Sequence, residues 1–118
     1  MNAYQATRSL LFPLAGGRVY PDVAPNDPHL PYITFQQVGG EVLNFLDRTL
    51  PRKLNARMQV NVWASTRLEA CDLAQQVEEL FHLSLTLQAS ALGAAVADFE
   101  EVGLLYGFRQ DFSVWVDR

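Results

Sequence analysis

The stretch LNARMQVNVWASTRLEACDLAQQVEELF, residues 54–81, holds two hydrophobic periodicities joined by a four-residue signal. In its first half Leu54, Ala56, Met58, Val60, Val62 and Ala64 alternate with Asn55, Arg57, Gln59, Asn61, Trp63 and Ser65. Successive side chains of a strand point to opposite faces, so this half reads as a strand with one buried and one wetter face. Thr66-Arg67-Leu68-Glu69 then has the form of a capping box, with Thr66 closing on the Glu69 amide and Glu69 reaching back. The helix it opens, over 66–83, places Leu73, Val77, Leu80 and Phe81 on one face with Ala70 and Ala74 beside them. A strand whose buried face meets such a helix predicts an α+β fold.

Working outward, the last segment alternates again: Tyr106, Phe108, Phe112, Val114 and Val116 against Arg109, Asp111, Ser113, Trp115 and Asp117. Residues 85–92 and 95–102 read as weaker strands around Gly93. Upstream, YITFQQV (32–38) is β-branched and aromatic and ends at Gly39-Gly40, and EVLNFLD (41–47) reads as its continuation into a hairpin. Residues 2–12 predict a short N-terminal helix, capped by Asn2 and stopped by Pro13. Between that helix and the first strong strand, Pro21, Pro25, Pro28 and Pro31 fall within eleven residues. Proline lacks the ladder N–H, so within the proline-rich arm, 18–31, residues 21–31 are expected to be extended and mostly exposed, with Ala24, Asp27 and Leu30 held extended by the proline that follows each. The expected whole is a single domain over 1–118. Strands at 32–65 and 85–117 form a mostly antiparallel sheet against a long central helix, with the N-terminal helix and the proline-rich arm beside it. The expected core is Val60, Val62, Leu73, Val77, Leu80, Phe81, Phe112 and Val114.

Composition narrows the function. The chain has 118 residues, 49% of them hydrophobic, and a net charge of −4, which disfavours a dedicated nucleic-acid binder. A single cysteine, Cys71, leaves no disulfide framework and fits a reducing compartment. The start of the chain lacks the charged and apolar regions of a signal peptide, and no run approaches membrane-spanning length. His29 and His82 are far apart in sequence, so no metal-ligand spacing exists, and Cys71 reads as a packed thiol because no basic partner accompanies it. Glu78-Glu79 and Glu100-Glu101 are adjacent pairs whose side chains diverge, unlike the converging carboxylates of acid–base catalysis. Glycine pairs stand outside any phosphate-binding context. No enzyme and no cofactor is expected.

Two features remain as candidate interaction sites. Arg48, Arg52, Lys53 and Arg57 cluster in DRTLPRKLNAR, which reads either as a solvated hairpin tip or as a loop docking an acidic partner or DNA. Trp63 and Trp115 stand on the polar faces of their strands. They either pack under the N-terminal helix or form an exposed aromatic patch of the kind found at protein interfaces.

Three stretches together carry a family resemblance: GGRVYPDVAPNDPHLPYITFQQVGG (16–40), ARMQVNVWASTRLEACDLAQQVEELF (56–81) and FRQDFSVWV (108–116). They resemble the tail-completion family of long-tailed bacteriophages at Arg18, Val19, Tyr20, Pro21, Pro25, Pro31, Tyr32, Val60, Val62, Trp63, Ala64, Ala70, Phe112 and Trp115. Asn61 stands where the family pattern has an acidic residue. The resemblance implies a structural virion protein at the head–tail junction, assembling in the host cytoplasm. It would be a homo-oligomer, a hexameric ring that caps the tail tube and meets the head connector, with DNA only as cargo through its lumen and no membrane. Pro21, Pro25, Pro28, Pro31, Trp63 and Trp115 are then candidate subunit contacts, and the basic cluster faces a partner or the lumen. The alternative is a small ligand- or protein-binding α+β module with no phage role.

Overall fold

A computed structural model describes residues 1–118. It contains two helices, α1 (Ala3–Leu11) and α2 (Arg67–Leu83). Six strands accompany them: β1 (Val19–Pro21), β2 (Tyr32–Gln37), β3 (Lys53–Ala64), β4 (Ser90–Ala91), β5 (Val96–Glu100) and β6 (Leu105–Asp117). The fold is α+β, with one mixed sheet in the order β1-β2-β3-β6-β4 and β5 also on β6. Its spine is the antiparallel β3–β6 pair, in register from Lys53↔Asp117 to Ala64↔Tyr106. The two stretches with the cleanest period-two pattern are therefore each other's partners.

Only β1–β2 is parallel, with Val19 opposite Ile33 and Pro21 opposite Phe35. Parallel neighbours need a crossover, and residues 22–31 supply it. Pro21 is tolerated because β1 is an edge strand. The crossover is not uniformly extended: Asp22 and Asp27 have φ of 65° and 50°. Asp27 thus departs from the extended form expected before Pro28. Asp is one of the few side chains that enter the left-handed region at modest cost. Pro21 and Pro25 are exposed, while Pro28 and Pro31 are partly covered.

Both helices lie on the same face of the sheet. Ala3, Ala6 and Leu11 of α1 and Leu73, Val77 and Phe81 of α2 join Ile33, Phe35, Met58, Val60, Val62, Phe112 and Val114 in one core. Phe81 stacks on Phe112 with ring centroids 4.0 Å apart and planes 8° from parallel. Leu80, expected in this core, is only partly buried at its margin. The expected long central helix is also corrected: α2 has 17 residues and shares its layer with α1.

Both helix starts are capped. Asn2 Oδ1 accepts from the Gln5 amide at 2.8 Å, and Gln5 Oε1 accepts from the Asn2 amide at 3.0 Å. Thr66 Oγ1 accepts from the Glu69 amide at 3.1 Å. Glu69, expected to reach back to the Thr66 backbone, instead accepts from Ser65 Oγ at 3.3 Å. The expected strand over 85–92 shrinks to Ser90–Ala91, because 85–88 form a turn, and that over 95–102 shortens to β5. EVLNFLD forms no strand at all; residues 38–52 run as a loop from β2 to β3.

Candidate interaction surfaces

The sheet face opposite the helices carries no helix or further strand; the 38–52 loop touches it at Asn55, whose Oδ1 accepts from the Glu41 amide at 2.9 Å. Strand alternation sends Asn55, Arg57, Gln59, Asn61 and Trp63 of β3 and Arg109, Asp111, Ser113 and Trp115 of β6 to this side. Much of it is polar and tied together in pairs. Arg57 Nε donates to Asp111 at 2.8 Å, and Asn55 Nδ2 donates to Ser113 Oγ at 2.8 Å and to the Val114 carbonyl at 3.2 Å.

Both tryptophans belong to this face, so neither packs under α1. Each is half-buried. They do not form one patch: Trp115 pairs with Asn55 and Trp63 with Gly107. Eight residues of β3 separate the two positions, roughly 26 Å along the strand. The Trp63 ring lies on Gly107, where an added Cβ would come within 2.7 Å of Cε3. Tyr32 is the cross-strand neighbour of Trp63. Burial pushes its hydroxyl above the ordinary value, and the Glu100 carboxylate pushes it further the same way.

The four clustered cations divide. Lys53 and Arg57 belong to β3 and are paired, Lys53 with Asp117 at 2.8 Å and Arg57 with Asp111. The Lys53 ammonium, by hydrogen bond and by charge, holds Asp117 below the usual carboxylate range. Arg48 and Arg52 lie in the 38–52 loop and form no ion pair. There Asp47 accepts from the Thr49 amide at 3.0 Å and the Thr49 hydroxyl at 2.7 Å, which lowers its carboxyl as well. The loop is also apolar: Val42, Leu43, Phe45, Leu46 and Leu50 are all exposed, and Leu46 fully so.

Two further residues, Arg67 and Gln110, hold elements of the fold together and carry no signal in the sequence pattern. Arg67 donates to the carbonyls of Gly107 at 2.7 Å and Asp98 at 2.9 Å and stacks over Tyr106 and Phe108, clasping the start of α2 to β5 and β6. Gln110, buried, donates to Glu78 at 2.7 Å and to the Gly93 carbonyl at 2.8 Å, tying α2 to the bend before β5. A pattern of polar outward and apolar inward positions gave no sign of Gln110, since it stands on the inward side.

Cys71 is only half-buried, at the edge of an open groove of about 270 Å³ with Ala74, Gln75, Glu78 and Phe108. His29 and His82 are exposed, and no three of His, Cys, Asp and Glu come together as a ligand set. No helix is long and apolar enough to cross a membrane.

Residues 6–117 match the family described as tail completion protein gp17. The chain belongs to that family. This makes it a structural protein of the phage tail. A search of curated proteins gave no match.

Proposed function

We propose that this tail-completion protein is a ring subunit that caps the finished tail tube and joins it to the head connector, at the head–tail junction of the virion. The observation that carries the proposal is the family match across nearly the whole chain. The surfaces agree with it. A ring subunit needs contacts on several sides, and this molecule has a sheet face that carries no helix, an exposed proline crossover and an apolar basic loop. In this reading Pro21, Pro25, Pro28 and Pro31 stiffen a segment that lies against a neighbouring copy, so that less entropy is lost on docking. Trp63 and Trp115 contribute separate contacts at the two ends of the open face, and the loop that carries Arg48 and Arg52 meets a partner chain. The hollows on the surface, including the polar one beside Arg57, Gln59, Arg109 and Asp111, are open to solvent and none is an enclosed pocket of the kind a small-ligand module uses.

The test is assembly. Heads and tails matured without this protein should remain separate and should join when it is added. The double variant Arg48→Glu/Arg52→Glu should keep its circular dichroism, since exposed charges contribute about 0–1 kcal/mol each, and should lose joining. Full joining by that variant would remove the loop from the function. Joining without any added protein would remove the function itself.

A further inference from the structure

The loop that fails to become a strand has a counterpart at the other end of the molecule. Val42–Leu46 is β-prone and exposed, and none of its backbone amides donates to an acceptor within the chain. β5, Val96–Glu100, pairs with β6 on one side, and no strand lies on its other side. Its surroundings are apolar too, with Val96, Phe99, Val102 and Leu104 exposed. Open strand edges of this kind pair readily with an extended segment of another chain.

The two segments also differ in charge. Arg48 and Arg52 follow the loop segment without ion pairs, whereas Asp98, Glu100 and Glu101 border β5. One copy cannot satisfy both. The loop enters β3 at Lys53, opposite Asp117, while β5 lies against Leu105–Arg109. Eight residues of β6 separate the two, roughly 26 Å. The molecule is correspondingly elongated, 53 × 26 × 24 Å.

We infer that residues 42–46 of one copy add as a strand to the free edge of β5 in the next copy, steered by Arg48 and Arg52 toward Glu100 and Glu101. The contact is head-to-tail, which closes into a ring where the rotation permits. It rests on the ring reading above and names the surfaces that would build the ring. It also accounts for the β-prone sequence of EVLNFLD, which forms no strand in the isolated chain.

Hydrogen exchange on the unmodified protein tests the pairing directly, comparing assembled with dilute samples. Amides in 42–46 and 96–100 should slow at least tenfold on assembly. A second arm uses two variants, Arg48→Glu/Arg52→Glu and Glu100→Lys/Glu101→Lys, each checked for folding by circular dichroism. Each alone should sediment as monomer, and an equimolar mixture should regain the assembled mass, because every contact in an alternating ring is again complementary. Assembly without slowed exchange in the two segments, or a mixture that stays dissociated, would overturn the pairing and leave the ring standing. A wild-type chain that is monomeric at every concentration would overturn both.

Discussion

Gly107→Ala is the substitution that probes the open face most sharply. Gly107 is buried in the middle of the β5–β6–β3 sheet, and its Cα faces the Trp63 ring. A methyl group there would meet Trp63 Cε3 at 2.7 Å, Cζ3 at 2.8 Å and the Val62 carbonyl oxygen at 2.8 Å. The indole can swing toward solvent, but the carbonyl belongs to the central strand and cannot. Overpacking of this kind costs roughly 1–3 kcal/mol. With a urea dependence of about 2 kcal/mol per M, a loss of about 2 kcal/mol lowers the unfolding midpoint by about 1 M. Circular dichroism is the signal, since the companion variant Trp63→Ala removes a fluorophore. In the Trp63→Ala background the added methyl should cost at least about 0.5 kcal/mol less, because only the carbonyl contact remains. An unchanged midpoint for Gly107→Ala, or an identical cost in both backgrounds, would refute the placement of Trp63 over Gly107.

Further expectations follow from the core, the arm and Tyr32. Phe81→Ala should cost about 3–5 kcal/mol because Phe81 is fully buried and stacked on Phe112; Leu80→Ala, at the core margin, should fall below about 2 kcal/mol, and equal losses in chemical denaturation would contradict this ranking. The Tyr32 hydroxyl titrates above its ordinary value of 10.0 in the fold, so the stability linked to its neutral form is present below pH 10 and lost as pH rises beyond it. Unfolding free energies of wild type and Tyr32→Phe should therefore diverge only above that pH; parallel profiles would argue against a buried hydroxyl. Replacing Pro25 and Pro28 by Gly should weaken self-association by about 0.4–1 kcal/mol per site with the dichroism spectrum unchanged, and superimposable sedimentation curves would make the crossover an ordinary surface loop.

How much was legible depends on how local each signal is. The β3 alternation, the Thr66 cap and the apolar face of α2 are written within a few residues of one another, and the fold follows them closely. EVLNFLD misleads because its composition suits a strand while its position, beyond the Gly40 crossing of β3, leaves it no strand of the chain to pair with. An added Cβ at Gly40 would sit 2.5 Å from the Asn55 carbonyl oxygen, so the loop crosses the strand closely there and then leaves the sheet. The parallel β1–β2 pair is hidden for a related reason: strand direction depends on where the crossover lands, and prolines announce only that 22–31 is irregular. The side of the sheet that α1 occupies is likewise a tertiary choice, so alternation places Trp63 and Trp115 on the polar face without revealing that no helix covers it. The basic cluster was visible as a run in sequence. Its division into paired Lys53 and Arg57 and unpaired Arg48 and Arg52 required Asp111 and Asp117, more than fifty residues away.

The proposed role requires this tail-completion protein to close into a ring. Sedimentation equilibrium over a concentration series, with negative-stain images of the same samples, measures it most directly. The expected result is a species of about six times the 13.2 kDa chain mass that appears as a closed ring with an open lumen. A single 13.2 kDa species at every concentration, and no rings on added tail tubes, would contradict it.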